Sequence, residues 1–437
     1  MPLPVVAVVG APNVGKSTLF NRLLGRRQSI VADFPGVTRD RLMADCELEG
    51  RRLTLVDTGG VVEGSRDDLT RKVSEEALKA VETADVIVFV IDARVGLTGS
   101  DEHVGGLLRA SGRPVIPVAN KIDSRGQEGL EFDLYRLGLG EVVAVSAEQG
   151  RGIDDLMERI VKALPERPPT EEPPGVALAI IGRPNVGKSS LFNRIVRSER
   201  SVVSEIPGTT RDPVDATFEH AGVLWRIVDT AGIRRRVGGA ESIEWVSALK
   251  ARQAIERAAF VIAIVEATVE LGHQDRALMG LVLESHRPVV LAVNKVDLVD
   301  GGAAEVEKKV QAVRDELRFS AWVPALPVSA RTGRGIAALL AAVARVREQT
   351  RRRFTTSDLN RALESIVAER HPPSDRGREV RFHYVSQAPG APPCFIVFGN
   401  GRRVDTSYRR FMEKRLRERL DLPESPITLL FRGRESR

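Results

Sequence analysis

Cysteine is nearly missing from this chain: Cys46 and Cys394 are its two copies among 437 residues, far apart and without CxxC spacing. A disulfide framework is thereby excluded. Histidine is almost as scarce. His103, His220, His273, His286, His371 and His383 share no metal-ligand spacing with the cysteines, so no zinc site is expected. Long apolar runs are missing too; stretches such as Ala84 to Ile91 are far too short to span a bilayer. The N-terminal MPLPVVAVVG reads as an immediate entry into a strand, without a charged leader or cleavage site. The expectation is a cytoplasmic protein with no membrane partner.

What is present is an ordinary globular composition, 42% apolar and 28% charged, in a length that supports two to four domains with their own cores. The net charge of +6 is unevenly spread. Residues 351–437 hold 19 Lys and Arg against 11 Asp and Glu, whereas the first 350 residues are slightly acidic. The last fifth of the chain therefore suits a polyanionic partner.

The chemistry is carried by a repeat. GAPNVGKST, Gly10 to Thr18, follows the apolar run Val5 to Val9 and opens a helical pattern; GRPNVGKSS, Gly182 to Ser190, does the same 172 positions later. Each fits the Walker A pattern GxxxxGK[ST]. Gly10 and Gly15, or Gly182 and Gly187, let backbone amides converge on a phosphate at a helix N-terminus. Lys16 and Lys188 supply a charge to the β- and γ-phosphates, and Ser17 and Ser189 a hydroxyl for magnesium, with Thr18 and Ser190 beside them. In the loops that follow, Thr38 of PGVTRD and Thr210 of PGTTRD are candidate switch residues for magnesium and the γ-phosphate. Alone, either would read as an ordinary turn threonine.

DTGG, Asp57 to Gly60, and DTAG, Asp229 to Gly232, each end a buried strand. The aspartate suits magnesium through water, and Gly60 or Gly232 can bring an amide to the γ-phosphate. NKID, Asn120, Lys121 and Asp123, and NKVD, Asn294, Lys295 and Asp297, follow the fifth strand of each copy. A carboxylate there accepts from both the ring NH and the exocyclic amine of guanine, a donor pair that adenine lacks, so GTP is favoured over ATP. SAEQG with Ser146 and Ala147, and SARTG with Ser329 and Ala330, complete the set; amides near the two alanines can donate to the guanine keto oxygen. The offset there has grown to 183 positions, as duplication with loop insertion would leave it.

Alternating strands and helices make each copy an α/β, doubly wound, mainly parallel domain with its ligand at the carboxyl edge of the sheet. The reading is a first G domain over 1–164, a proline-rich linker over 165–175, a second G domain over 176–350 and a small basic α+β domain over 351–437. In that last part Thr406 to Leu420 reads as a helix whose Arg409, Arg410, Lys414 and Arg417 lie away from its apolar face and suit nucleic-acid contact.

The ordered pairs GAPNVGKS with GRPNVGKS, DTGG with DTAG, NKID with NKVD and SAEQG with SARTG, followed by LNRAL, RFHYVSQ, PPCFIVF, NGRRV, SYRRF and ITLLFR, resemble one family along the whole chain. It is that of the bacterial double-G-domain GTPases Der, or EngA. The resemblance implies a GTP hydrolase using magnesium and a KH-like tail, acting as an assembly factor that binds the large ribosomal subunit and ribosomal RNA, with no DNA partner and a monomer off the ribosome. The tail lacks the GxxG by which KH domains usually clamp a backbone. Glu266 stands where the first copy has Asp92, and the position after DTxG is Val61 or Ile233, neither able to orient a water. The resemblance therefore suggests a potassium ion held partly by Asn13 and Asn185 in place of an arginine finger. The copies also differ after DTxG, VVEGSRDDL against IRRRVGG with Arg234, Arg235 and Arg236; either the acidic first switch docks on the basic tail in one nucleotide state while the basic second switch holds RNA phosphates, or both are solvated loops of unlike charge.

Other readings stand beside this one. A GTPase of tRNA modification or a membrane-associated G protein would share the nucleotide motifs, but would carry a further domain or an anchor. A P-loop metabolic kinase would lack NKxD, and a non-catalytic scaffold would not keep both sets intact.

Overall fold

In the computed structural model the structure is described for residues 3–25, 43–58, 66–124, 127, 129–166, 174–198, 216–228, 244–373, 380–400 and 404–433, leaving aside the side chains of 66–72 and 244–248. The first sheet grows from β1 (Val5–Val9), α1 (Lys16–Gly25), β2 (Met43–Leu48), β3 (Arg51–Asp57), α2 (Arg66–Thr83) and β4 (Val86–Asp92). It continues through α3 (Gly99–Ala110), β5 (Val115–Asn120), β6 (Val143–Ala144) and α4 (Ile153–Ala163). Strand order is β2-β3-β1-β4-β5-β6, parallel apart from the β2–β3 hairpin. VVAVV and VIVFVI are unbroken apolar runs because helices cover both faces of these strands. Val6 and Val8 pack with Leu19, Phe20, Leu23 and Ile160, whereas Val5, Ala7 and Val9 pack with Ala77, Ala80, Val104 and Leu108. This two-faced burial leaves the loops at the strands' carboxyl ends on one edge. β1 lies in the middle, where the strand order reverses, so the loop after it opens into the crevice.

The second sheet repeats the plan with β7 (Val176–Ile181), α5 (Lys188–Ser198), β8 (Ala216–His220), β9 (Val223–Ile227), α6 (Glu244–Arg257), β10 (Phe260–Glu266) and α7 (His273–Glu284). β11 (Val289–Asn294), α8 (Gly302–Glu316), β12 (Ala325–Pro327) and α9 (Ile336–Thr350) complete it, in the order β8-β9-β7-β10-β11-β12. The tail folds as α10 (Thr356–Glu369), β13 (Phe382–Gln387), β14 (Cys394–Gly399), α11 (Thr406–Arg419) and β15 (Thr428–Gly433). Its sheet runs β13-β14-β15, with β13 antiparallel and β15 parallel to β14. The architecture expected from the sequence, two tandem mainly parallel sheets and a small α+β tail, is the one found.

The chain forms two compact units, Met1–Glu172 with Gly239–Gln253, and Pro173–Gly238 with Ala254–Arg437. In the first unit Leu249 of α6 joins the apolar cluster of Val56, Val73 and Ala77, and Arg252 pairs with Asp45 on β2. Nothing in the repeat pattern signals that placement. In the second unit Arg345 of α9 forks onto Glu424 at 2.6 and 2.8 Å, and the Arg417 guanidinium lies 5.0 Å from the Trp322 ring centre.

That last contact revises the reading of α11. Arg417 also donates to the Ser425 carbonyl at 3.0 Å, and burial pulls its pKa down to about 10. Arg409 donates to the Leu429 carbonyl at 2.6 Å and lies 3.4 Å from Glu413. Two of the four cations expected to face a polyanion thus hold the helix to its own surroundings. A helical wheel cannot show this, because long basic side chains reach back over the apolar surface they border.

Candidate functional site

Each glycine loop is shaped by close approach. Between β1 and α1, a Cβ on Gly10 would run into the Val90 carbonyl oxygen, and Gly15, at φ +96°, has no room for one beside Asn120 Nδ2. Gly187, at φ +105°, meets Asn294 Nδ2 in the same way. Asn13 and Asn185 take left-handed φ of 63° and 64°, a conformation asparagine tolerates better than most residues. Lys16 Nζ donates to the Gly10 and Ala11 carbonyls at 2.7 and 2.8 Å, and Lys188 Nζ to those of Gly182 and Arg183 at 2.8 Å each. Burial lowers the Lys16 pKa, opposed by the carboxylates of Glu76 and of Asp57 at the end of β3. Burial alone accounts for the Lys188 pKa, pulled down to about 8. Ammonium groups held at such a cost fit an anion, and the helix N-termini beside them offer amides to it. The exposed Ser17, Thr18, Ser189 and Ser190 sit on those first turns.

The buried Asn120 joins three motifs. Its Nδ2 donates to the Val14 carbonyl at 2.8 Å, and its Oδ1 accepts from the Ala147 amide at 3.0 Å. Asn294 repeats both bonds, to Val186 at 2.7 Å and from Ala330 at 2.9 Å. The two alanine amides considered for the guanine keto oxygen therefore also hold the asparagines. Ser146 Oγ donates to Asp123 Oδ1 at 2.6 Å, fixing the carboxylate expected to read the base. At the second site hydrogen bonding from Ser329 leads the effects that hold the Asp297 carboxyl below its usual range, and Arg331 lies 3.0 Å away. Lys121 Nζ bridges the Asn13 carbonyl at 2.7 Å and Asp92 at 2.6 Å, while Lys295 meets Glu266 at 2.8 Å. Glu266 thus does the work of Asp92. Burial pushes its carboxyl up, but hydrogen bonds from Lys295 and Thr268 outweigh that and leave it below the ordinary value.

Thr38, Gly60 and Val61 lie outside the described residues, as do Thr210, Asp229, Gly232, Ile233, Arg234, Arg235 and Arg236. The others converge at the carboxyl edge of their sheet. One pair escapes the motif reading: Arg22 of α1 donates to the Ala147 carbonyl at 2.9 Å and to that of Glu148, and Arg194 of α5 does the same to Ala330 at 3.2 Å and Arg331. These arginines brace the SAEQG and SARTG loops from behind. The signal was present in LFNR, which occurs in both copies.

The family described as 50S ribosome-binding GTPase matches residues 5–121 and again 177–295, and the family described as the C-terminal KH-domain-like part of EngA bacterial GTPase enzymes matches 353–432. The chain is 44% identical to the GTPase Der of Moorella thermoacetica over all of both chains. It belongs to the Der family of GTPases. Two further Der relatives agree: that of Mycobacterium avium is 43% identical over 100% of this chain and 93% of its own, and that of Myxococcus xanthus 44% over 99% and 96%. As a Der-family member the chain is a GTP hydrolase that takes GTP and yields GDP. The duplicated cradle and guanine-side geometry are what that activity requires of it.

Proposed function

We propose that this GTPase serves as an assembly factor of the large ribosomal subunit, engaging ribosomal RNA in the cytoplasm as a monomer when off the ribosome. The observation that carries this reading is the pairing of two glycine-loop and NKxD sites of matching geometry among the described residues with one KH-like tail in a single chain. The family match described as 50S ribosome-binding and the cationic excess of residues 351–437 support it. The working division is a first G domain over 1–164, a linker over 165–175, a second G domain over 176–350 and the tail over 351–437.

Within each site Lys16 or Lys188 holds the β- and γ-phosphates, with Gly10, Gly15, Gly182 and Gly187 giving the backbone its turn. Asp123 or Asp297 reads the guanine edge, positioned by Ser146 or Ser329. Asn120 and Asn294 hold the cradle to the base-binding loop. Magnesium fits the exposed hydroxyls of Ser17 and Ser189, with Thr38, Asp57, Thr210 and Asp229 completing the set; when bound it would offset charge developing on the phosphates. Potassium fits beside Asn13 and Asn185, where it would supply the positive charge that Val61 and Ile233 cannot.

Co-sedimentation with separated ribosomal subunits under GTP, GDP and a non-hydrolysable analogue, with turnover followed in potassium and in sodium at equal ionic strength, tests the proposal. Nucleotide-dependent binding to the large subunit and faster turnover in potassium are expected. Absence of large-subunit binding in every nucleotide state overturns the assembly role, and equal rates in the two salts overturn the potassium site.

A further inference from the structure

One face of the tail's sheet is committed to its core. Val385, Phe395, Val397 and Leu429 are buried there among residues of α10 and α11. Alternation along the strands turns Tyr384, Ile396, Phe398, Leu430 and Arg432 to the other face. Tyr384 is 45% exposed and Leu430 43%, so two large side chains of one face are open to solvent together. Register places Tyr384, Phe398 and Arg432 in one row across the three strands. The Tyr384 and Phe398 rings stack with centres 4.4 Å apart and planes within 12°, and Arg432 stands exposed at the end of the row. None of the three strands contains an acidic residue.

We propose that this row is a stacking platform for unpaired bases of single-stranded RNA. A rigid aromatic pair offers a flat surface that any base can cover, and a guanidinium beside it meets the phosphate or extends the stack. Charge supports the choice of occupant, since the three strands carry a cation and no carboxylate within a segment of strong positive excess. The tail has no GxxG loop, and α11 spends Arg409 and Arg417 on its own packing, so the sheet face takes up the contact those elements do not provide. The platform rests on the RNA-binding reading above and adds its location and the single-stranded class of ligand.

The test uses the full chain, a labelled twelve-residue oligouridine and a blunt RNA duplex of the same length, with anisotropy measured across a salt series. The single strand should bind in preference to the duplex. Tyr384→Ala should weaken the single strand about tenfold or more and leave the duplex unchanged, while Tyr384→Phe, which keeps the ring, should behave as the parent. Arg432→Ala should lower the salt slope by about 0.7, the share of one phosphate contact on a single strand. Unchanged GTP turnover in each variant certifies folding, because these side chains lie outside the nucleotide sites. Equal single-strand affinity for Tyr384→Ala and parent overturns the platform, as does a loss of self-association in that variant in place of any RNA effect. A parent that sediments with the large subunit yet ignores oligouridine sinks the platform alone; a parent that binds neither sinks the RNA reading with it.

Discussion

The two nucleotide sites solve one local problem with different residues. Asp101 and Asp275 begin helices α3 and α7 at matching places, each buried and each accepting from the backbone amide of the residue before its helix, Thr98 at 3.0 Å and Gly272 at 3.0 Å. In the first copy the Thr98 hydroxyl also donates to Asp101, at 2.6 Å. Gly272 has no hydroxyl. There Arg183 of the glycine loop lies 3.4 Å from Asp275, where the first copy has Ala11. The second cradle is thus tied to α7 by a charge that the first lacks. The glycines, asparagine and lysine of the loop and the Asn, Lys and Asp of NKxD are the same in both copies, whereas the contacts of this supporting carboxylate have drifted: a charge at 3.4 Å replaces a hydroxyl, and Asp275 Oδ1 is left buried without a hydrogen-bond partner among the described residues.

The largest expected effect tests what the copies share. In Asn120→Ala, the Val14 carbonyl and Ala147 amide lose a buried partner, at ~1–3 kcal/mol each. GDP affinity at that site should fall by at least about thirtyfold, and the chain should titrate with one GDP instead of two. Asn294→Ala should do the same at the other site. Two full-strength GDP sites in either variant, by calorimetry, would show that the asparagine bridge does not support binding in that copy.

A middle-sized effect tests how they differ. Arg183→Ala should destabilise the second copy by ~1–3 kcal/mol, because Asp275 loses its charged neighbour. A Cβ on Gly272 meets nothing nearer than Asp275 Oδ2 at 3.7 Å, so adding Gly272→Thr should restore part of the loss by copying the Thr98 arrangement. Trp225 and Trp322 lie in the second unit and Trp245 within Gly239–Gln253 of the first, so tryptophan fluorescence in a Trp245→Phe background follows the second copy during urea unfolding. A double variant no more stable than Arg183→Ala would break the equivalence of the two solutions.

The smallest effect is a fraction of a proton. Burial lowers Lys188 to about 8 in the ligand-free fold, against a usual value of 10.5. Between those values the unfolded chain binds more protons than the folded one, so this group's contribution to stability rises with pH across that window. Phosphate in the cradle favours the ammonium and lifts its pKa again. In Asn120→Ala, which leaves the second site as the strong one, GDP binding at pH 8, where the terminal phosphate of GDP is already ionised, should therefore take up a fraction of a proton. Calorimetry in buffers of different ionisation heat reads this directly, and proton release at pH 8 would contradict the assignment.

The sequence by itself determined the two α/β cradles, their guanine-type motifs and the α+β character of the tail. These are local properties: a glycine where a Cβ cannot fit, a strand-length apolar run, a lysine at a fixed distance along the chain. Glycine loops and NKxD occur twice, and their chemistry follows from residue type and spacing alone. What tertiary structure decided is where side chains from distant segments meet. It turned the amide of Ala147 toward Asn120, set Arg22 behind the same loop, joined Leu249 to the apolar cluster of the first unit and drew Arg417 over Trp322. It also ranged Tyr384, Phe398 and Arg432 in one row, although they are separated by 14 and then 34 positions in sequence. Spacing along the chain carries no record of such meetings, since a long side chain can reach several neighbours and packing selects among them.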